Sequence, residues 1–308
     1  MVSPTNKLRM HRVIVLFLPV LFLACTRHVA PPAADSAVTE SGWTELIDPE
    51  LSEWDTYLSF RHQLGYDGSA PVDADGEPIE PIGMNPTGYD VFTTIREDGR
   101  DVIRVSGEVY GCLISKEEYE NYHLQVEFRW GDKKWVPRKE LLKDSGVLYH
   151  SIGAPGAEHW RTWMLSQEFQ IMEGHTGDYW NQASSAMDIR AYTPEYLMNP
   201  MANATQDYLH IGTGGPYKNY CLRSNNYEKP HGEWNTLDLI CYGDKSLHIV
   251  NGEVVMILKN SRYLNDAGEV LPLTKGKIQL QSEAAEVFFR GIRIRPLEQL
   301  DPSYAAYF

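Results

Sequence analysis

The sequence predicts an all-β protein, a sandwich of two packed antiparallel sheets with few helices. Short runs in which apolar and polar residues alternate recur along most of the chain, and this period of two is typical of half-buried strands. Asn251 and Gly252 stand between two apolar runs and predict a type I′ hairpin, because both residues accept a positive φ. No segment repeats at a fixed period, so a propeller or a solenoid is not expected.

Each predicted strand is a short run enriched in β-branched and aromatic side chains. The first half of the chain provides runs at 44–47, 89–95, 101–105, 122–130, 146–151 and 168–174. The second half provides runs at 236–243, 246–250, 253–258, 277–282 and 286–296. Two long segments, 65–88 and 176–217, lack clear periodicity. The second is rich in Tyr and contains Trp180, and we expect it to be a loop that covers a binding site.

Composition limits the class of protein. With 308 residues, of which 43% are hydrophobic and 11% aromatic, the chain can bury a large core, which excludes intrinsic disorder. Acidic residues outnumber basic ones 42 to 28, the formal charge is −14, and no run of Lys or Arg is present. Nucleic acid is therefore not an expected partner. No glycine-rich nucleotide fingerprint is present, so neither a nucleotide nor a nicotinamide cofactor is expected.

The N-terminus predicts export. Three basic residues within the first twelve precede the apolar run 13–24, which is shorter than the roughly 20 residues that a membrane-spanning helix needs. We therefore interpret residues 1–24 as a signal peptide. The apolar run ends at Cys25 and resembles a bacterial lipoprotein cleavage site. Lipidation of Cys25 is expected, with an ordinary signal peptide as the alternative.

The rest of the chain divides into three parts. Residues 25–40 are rich in Ala, Pro and Ser and predict a flexible, lipid-anchored tether. Residues 41–300 hold the sandwich, and residues 301–308 form a C-terminal tail. This organisation predicts an exported lipoprotein of the periplasm or outer membrane that meets the membrane through its lipid anchor only. The three later cysteines show no CxxC spacing, so one disulfide and buried free thiols both remain open.

Polar and titratable side chains concentrate between residues 150 and 180, together with tryptophans. The candidates are His150, Trp163, Glu168, Gln170, Glu173, His175 and Trp180. Aromatic faces bury the apolar C–H side of a sugar ring, whereas carboxylates and amides hold its hydroxyls. This window is therefore the candidate carbohydrate site.

Two of the carboxylates would form a pair only on an irregular strand. On a regular strand Glu168 and Gln170 share one face and Glu173 lies on the other, whereas a β-bulge near 171–172 would return Glu173 to the face of Glu168. The pattern Glu-x-Gln-x-x-Glu resembles the Glu-x-Asp-x-x-Glu strand of laminarinase-type retaining β-glucanases, which cleave glycosides with two carboxylates. Gln170 lacks the charge of the middle Asp, so this glycosidase is an alternative.

A metal site is another hypothesis for the same window. His150, Glu168 and His175 lie on strands that we expect to be neighbours, and two imidazoles with a carboxylate suit a divalent metal ion. Their spacing matches no defined metal motif, so structural histidines are the competing interpretation.

Five segments present motifs in a recognisable order. They are YENYHLQVEFRWG at 119–131, DSGVLYH at 144–150, SQEFQIMEG at 166–174 with GDYW at 177–180, GEWNTLDLICYGDKSLHIVNGEVV at 232–255, and GKIQLQS with EVFFRGIRIRPL at 276–297. Together they resemble the bacterial 3-keto-disaccharide hydrolase domain family, over residues 43–297. The resemblance implies a concanavalin A-like jelly roll and an enzyme that cleaves glycosides already oxidised to a ketone at C3 of the sugar.

The implied chemistry starts at the ketone. A C3 ketone acidifies the C2 proton, so a base can remove it and the C1 substituent can leave with the help of a general acid. Addition of water completes the hydrolysis. The resemblance therefore implies an oligosaccharide or glycoside substrate, and a sugar 3-dehydrogenase as the pathway partner that makes the ketone.

We expect the following roles for the candidate residues in this chemistry. The expected catalytic residues are His150, Glu168 and Glu173. The expected substrate contacts are Gln170, His175, Trp163, Trp180 and Arg129. A divalent metal ion, if the enzyme uses one, would be held by His150, Glu168 and His175. A noncatalytic carbohydrate-binding sandwich is the alternative from a different class, because it shares every fold feature.

Overall fold

The computed structural model describes residues 42–61, 71–157 and 162–308. The predicted signal peptide, the predicted lipidation site Cys25 and the predicted tether lie outside these residues. In chain order, the strands of the described residues are β1 Thr44–Glu45, β2 Trp54–Arg61, β3 Gly83–Met84, β4 Phe92–Glu97, β5 Arg100–Val105, β6 Val109–Ser115, β7 Tyr122–Lys134, β8 Asp144–Ile152, β9 Leu165–Met172, β10 Tyr179–Gln182, β11 Ser185–Tyr192, β12 Met201–Ala202, β13 Tyr208–Gly212, β14 Tyr220–Cys221, β15 Asn235–Tyr242, β16 Lys245–Val250, β17 Glu253–Leu264, β18 Val270–Pro272, β19 Lys277–Ser282 and β20 Ala285–Pro296. A 3-10 turn at Arg138–Glu140 and a short helix α1 at Pro302–Ala305 accompany them.

The strands form two sheets. The larger sheet runs β12-β11-β17-β16-β15-β7-β20-β5-β4, with β1 beside β20, β13 beside β11 and β18 beside β17. The smaller sheet runs β14-β10-β9-β8-β19-β6-β2-β3. The strand pairs in both sheets are antiparallel. The predicted all-β jelly-roll sandwich is confirmed.

The main hydrophobic core lies between the two sheets. The larger sheet contributes Phe128 to it, and β9 of the smaller sheet contributes Phe169 and Ile171. Because side chains alternate along a strand, Glu168 and Gln170 of β9 point away from this core, onto the outer face of the smaller sheet. The prediction that Glu168 and Gln170 share one face of this strand is confirmed.

A second apolar cluster covers part of that outer face. It joins side chains of β2, β6 and β8 with two residues of the segment that leads into β9. Its members are Tyr57, Phe60, Tyr110, Cys112, Ile114, Leu148, Trp163 and Met164. Polar side chains of β8, β9 and β10 occupy the remainder of the face, so the apolar cluster borders a polar region.

The predicted hairpin is present between β16 and β17. Asn251 and Gly252 have φ values of 52° and 88°, and Val250 pairs with Glu253 across the turn. Two consecutive positive φ values are the mark of a type I′ turn.

Other strands were not recognised in the sequence. β2 and β6 are absent from the predicted set, and the segment 176–217 contains β10, β11, β12 and β13. The interpretation of that segment as a loop is therefore wrong. β10 pairs with the preceding strand β9, whereas β11 pairs with β17, which is far away in the sequence. Such tertiary pairing overrides weak local periodicity.

The predicted C-terminal tail contains a helical turn that packs on the sandwich. Helix α1 begins after Asp301, whose carboxylate accepts a hydrogen bond from the Ser303 backbone N–H at 2.8 Å. Tyr304 and Phe308 pack against an apolar cluster of the larger sheet that includes Ile240.

The cysteines of the described residues are free thiols. Cys112, Cys221 and Cys241 are each buried, and none forms a disulfide. Of the two arrangements that the sequence left open, the buried thiol is the one present. In the part of the chain that the structure describes, no helix has the length and apolar character to cross a membrane.

Candidate active site

A polar pocket of about 270 Å³ opens on the outer face of the smaller sheet. Strands β8, β9, β10 and β19 provide most of it, and Trp163 separates it from the apolar cluster on the same face. The lining residues are Arg138, Asp144, Trp163, Glu168, Gln170, Met172, Trp180, Asn181, Gln182, Ala183, Asn219, Gln281 and Glu283. Three carboxyl groups therefore share this pocket with a single guanidinium group.

Glu168 lies at the centre of the lining strands. Its side chain projects from the middle of β9, beside Trp180 of β10, and the residue is only 3% exposed. Amide groups of Gln182 and Gln281 donate hydrogen bonds to it. Burial, and then the negative charge of Glu283, raise the pKa of Glu168 to about 8. The carboxyl group therefore retains its proton at neutral pH.

The other two carboxyl groups share the cation. Arg138 Nη2 forms an ion pair with Asp144 and a second one with Glu283 Oε1 at 2.8 Å. Asp144 also accepts a hydrogen bond from Gln170 Nε2 at 2.9 Å. Burial and Glu283 raise the pKa of Asp144, whereas Arg138 acts in the opposite direction. One positive charge thus faces two carboxyl groups, and Glu168 stands outside this ion-paired unit.

Several polar atoms of the lining residues are buried without a hydrogen-bond partner in the protein. The acceptors are Gln170 Oε1, Asn181 Oδ1 and Gln281 Oε1, and the donors are Arg138 Nε and Trp180 Nε1. A buried polar group without a partner is destabilising. Their concentration around one pocket indicates a site prepared for a ligand that has both hydroxyl donors and oxygen acceptors.

The structure brings together four of the residues predicted for the site. Glu168, Gln170, Trp163 and Trp180 all line the pocket. Trp163 is buried, and the Trp180 ring lies against Tyr220 with the ring centroids 4.7 Å apart. Their roles toward a substrate stay predictions.

His150 does not line the pocket. It lies at the far end of β8 from Asp144, and its ring contacts those of Tyr122 and Tyr149, with centroids 5.8 and 5.2 Å away. The register between β8 and β9 shifts beside it, and its own φ is 52°. Burial lowers the pKa of His150 to about 4, so the ring is neutral at pH 7. Its predicted catalytic role stays a prediction.

The bulge near 171–172 that would bring Glu173 to the face of Glu168 is absent. The register of β9 with β8 is continuous to the last strand residue, Met172. Glu173 follows the end of the strand, where its carboxylate lies 3.8 Å from Lys143 Nζ. The expected carboxylate pair of Glu168 and Glu173 is therefore not formed, because a regular strand leaves the two residues on different sides.

Two other predicted substrate contacts lie elsewhere. His175 Nδ1 lies 3.3 Å from Asp178 Oδ2 and 3.0 Å from Arg223 Nη1, in a polar cluster at the turn between β9 and β10. Arg129 is on the larger sheet, where it forms a two-pronged ion pair with Glu97 at 2.9 and 3.1 Å. Neither residue lines the pocket.

The predicted metal ligands are not assembled. Glu168 is in the pocket, His150 is in the inter-sheet core, and His175 is at the β9–β10 turn. Among the residues that the structure describes, no three His, Cys, Asp or Glu side chains are grouped so as to hold a metal ion.

Sequence reasoning missed the ion-paired half of the pocket. Asp144 opens the DSG motif, and Glu283 directly follows β19. Arg138 lies in a turn without strand periodicity. Their positions in the sequence were the available signal. Asp144 lies just before one predicted strand and Glu283 follows another, and in antiparallel neighbours the start of one strand and the end of the next lie at the same edge of the sheet.

Gly146 provides the space that Glu168 and Gln281 occupy. A Cβ at position 146 would lie 2.5 Å from Glu168 Oε1 and from Gln281 Oε1, so Gly146→Ala must displace both side chains. We expect kcat of any reaction in this pocket to fall by about 10- to 100-fold, because small displacements of reacting groups have large kinetic effects. Steady-state kinetics of the purified variant measures this.

Gly131→Ala is the matched control for this prediction. Its Cβ would meet the carboxyl group of Glu286, which does not line the pocket. Both variants are expected to lower the melting temperature, but only Gly146→Ala is expected to lower kcat. Equal kcat in the two variants would contradict the placement of Glu168 in the reaction.

Several solved structures are similar to this chain at low sequence identity. Two candidate glycosyl hydrolases of Parabacteroides distasonis are 20% and 18% identical, with TM-scores of 0.43 and 0.46. The alignments cover 83% and 86% of this chain, and 99% and 100% of the two hydrolases. The carbohydrate binding module CBM66 of Bacillus subtilis is 9% identical over 66% of this chain and 91% of its own, with a TM-score of 0.36. No curated protein matches the sequence.

A family model described as the 3-keto-alpha-glucoside-1,2-lyase-like domain matches residues 42–295. The match spans both sheets and includes every residue that lines the pocket. The protein is therefore a carbohydrate-active protein that belongs to the 3-keto-alpha-glucoside-1,2-lyase-like domain family.

Proposed function

We propose that the protein cleaves the glycosidic bond of 3-keto-glycosides by removing the C2 proton and eliminating the C1 substituent, with subsequent hydration. The observation on which this rests is a pocket that holds a buried, protonated carboxyl group, Glu168, beside an ion-paired unit of Arg138, Asp144 and Glu283. The family description supports the choice of substrate and of elimination.

Elimination needs an acid and a base in one site. The C2–H bond breaks as its proton passes to a base, the electron pair forms the C1–C2 double bond, and the C1–O bond breaks. The leaving oxygen takes a proton from an acid. Water added across the double bond then gives the free 3-keto sugar.

Glu168 is suited to the acid. It retains its proton to a pH of about 8, and a carboxyl group with a pKa near the working pH is an effective proton donor. Asp144 and Glu283 share Arg138, whose positive charge favours the ionised form of a carboxyl group. Because burial and Glu283 raise the pKa of Asp144 well above its ordinary value, Asp144 holds its proton, and the base is best sought in Glu283.

The remaining lining residues suit a sugar. The unpartnered oxygens of Gln170, Asn181 and Gln281 can accept hydrogen bonds from hydroxyl groups. Trp163 and Trp180 provide the aromatic surface that packs against the C–H face of a pyranose.

We also propose where the protein is located and which enzyme supplies its substrate. The N-terminal sequence supports export, with lipidation at Cys25 and attachment through that anchor alone. A sugar 3-dehydrogenase would supply the ketone, because the sequence holds no nicotinamide fingerprint of its own.

The test uses the purified protein with 3-keto-trehalose and with 3-keto-lactose, beside the two unoxidised sugars, and follows the products by mass spectrometry. We expect cleavage of the keto forms only. Repeating the reaction in D₂O places deuterium at C2 of the product if C2 is deprotonated. A parallel reaction with a chelator tests whether a divalent metal ion takes part.

Three outcomes would overturn the proposal. Cleavage of the unoxidised sugars would favour a two-carboxylate glycosidase. Binding without cleavage of either form would favour a noncatalytic carbohydrate-binding module. Cleavage of the keto forms without deuterium at C2 would show that the glycosidic bond breaks without elimination.

A further inference from the structure

Two N–H donors of the pocket are buried and unpartnered. They are the indole Nε1 of Trp180 and the guanidinium Nε of Arg138. The ion pairs of Arg138 with Asp144 and Glu283 are formed by its Nη2 atom, so Nε is left for another acceptor. The pocket thus presents donors that no protein group in the described residues uses.

These donors need an oxygen acceptor from the ligand. The other unpartnered atoms of the pocket are amide oxygens, which suit hydroxyl donors and repel a carbonyl oxygen. A 3-keto-glycoside carries one ketone oxygen, and that oxygen gains negative charge when the C2 proton leaves. Fixed N–H groups directed at such an oxygen stabilise the transition state, because they need no reorganisation.

We propose, on the basis of the proposed function, that Trp180 Nε1–H and Arg138 Nε–H receive the C3 oxygen of the substrate and stabilise the enolate formed at C2 and C3. The two residues are then catalytic through hydrogen bonding, and no covalent change takes place on either. The C2 proton passes to the base, and its electron pair moves into the C2–C3 bond as the C3 oxygen becomes anionic. Collapse of this enolate expels the C1 oxygen.

The surroundings hold both donors in place. The Trp180 ring lies against Tyr220 with an interplanar angle of 50°, and its backbone pairs with that of Glu168. Arg138 is held by two ion pairs. Donors fixed in this way before the substrate binds are what oxyanion stabilisation requires.

The test is the Trp180→Phe variant, which removes the N–H and keeps an aromatic ring against Tyr220. The readout is the exchange of the C2 proton of 3-keto-trehalose with D₂O, followed by NMR, together with kcat and KM. We expect exchange and kcat to fall by about 10²-fold. The affinity for unoxidised trehalose, which lacks the ketone, is expected to change by less than about threefold.

Two further variants sharpen the result. Arg138→Lys keeps a positive charge for Asp144 and Glu283 but removes the Nε–H, and it is expected to slow the exchange as well. Trp234→Phe is the control, because Trp234 packs under Arg290, with 3.9 Å from the guanidinium carbon to the ring centroid, and does not line the pocket. It is expected to leave the exchange unchanged.

The outcomes separate this inference from the proposed function. Normal exchange in both Trp180→Phe and Arg138→Lys, beside an active native protein, would overturn only the oxyanion role. A parallel loss of exchange and of trehalose affinity would assign the Trp180 N–H to ground-state binding and also overturn it. Absence of C2 exchange in the native protein, together with absence of deuterium at C2 of its product, would overturn the proposed function itself.

Discussion

Replacement of Glu168 by glutamine is expected to lower kcat for a 3-keto-glycoside by about 10³-fold. Glutamine has nearly the same shape as a protonated glutamic acid but cannot transfer a proton, and general acid catalysis typically contributes about 10²- to 10⁴-fold. The measurement is steady-state kinetics of the variant with 3-keto-trehalose, at a concentration at which the native protein is saturated.

Glu127→Gln is the matched control for Glu168→Gln. Glu127 lies on the larger sheet, where its carboxylate pairs with Arg290 at 2.7 Å and with Arg100 at 3.2 Å. Its replacement removes a carboxylate of the same kind outside the pocket and is expected to leave kcat unchanged. A Glu168→Gln variant as active as this control would eliminate Glu168 as the acid. His150→Asn, measured in the same series, tests the other residue predicted to transfer a proton.

The raised pKa of Glu168 also makes stability depend on pH. The folded protein holds this proton up to a pKa of about 8, whereas the ordinary glutamate value is 4.5, so the folded state binds more protons between these two values. The free energy of unfolding therefore falls as pH rises through this window, by on the order of 3 kcal/mol between pH 5 and pH 8 from this group. The activity of the acid form is expected to fall above a pH of about 8.

The same variant tests the stability effect. Glu168→Gln has no ionisation at this position, so its free energy of unfolding is expected to depend less on pH between 5 and 8 than that of the native protein. Urea unfolding at several pH values measures the two slopes. An identical slope would show that Glu168 is already ionised in the folded protein at neutral pH, which would contradict its assignment as the acid.

The sequence contains enough local information for the sandwich and for the centre of the pocket. Alternation along β9 separates Phe169 and Ile171 from Glu168 and Gln170, so the strand, its two faces and its polar residues can all be read locally. The hairpin at Asn251 is equally local, because positive φ is a property of the residues in the turn.

The partners of Glu168 depend on non-local pairing and could not be predicted in this way. Glu283 joins the pocket because β19 pairs with β8, and Asp144 joins it because β8 pairs with β9. Nearness in sequence favoured Glu173 instead, although β9 is regular and directs that residue elsewhere. The position of His150 could not be predicted either, because the sequence does not show the register shift of β8 beside it, and its ring packs against Tyr122 and Tyr149 of the core.

Arg138→Met is expected to have the largest effect on stability. The side chains of its partners Asp144 and Glu283 are only 3% and 9% exposed, so the variant leaves two buried carboxyl groups without their cation. Removing one partner of a buried ion pair lowers the free energy of unfolding by about 3 to 5 kcal/mol. Urea unfolding at pH 7 measures this loss. At lower pH the loss is expected to shrink, because protonation removes the negative charge that Arg138 compensates.

Arg129→Met is the control, because it also breaks an ion pair between a guanidinium and a carboxylate, but one that is more exposed to solvent. The side chains of Arg129 and Glu97 are 21% and 29% exposed, so water solvates the carboxylate that is left behind. The expected loss is about 1 kcal/mol or less, with little dependence on pH. If Arg138→Met and Arg129→Met lose equal stability, the carboxyl groups of the pocket do not depend on Arg138 for compensation. The base of the proposed elimination would then have to be stabilised by another group, since an uncompensated buried carboxyl group takes up a proton at neutral pH and cannot remove the one at C2.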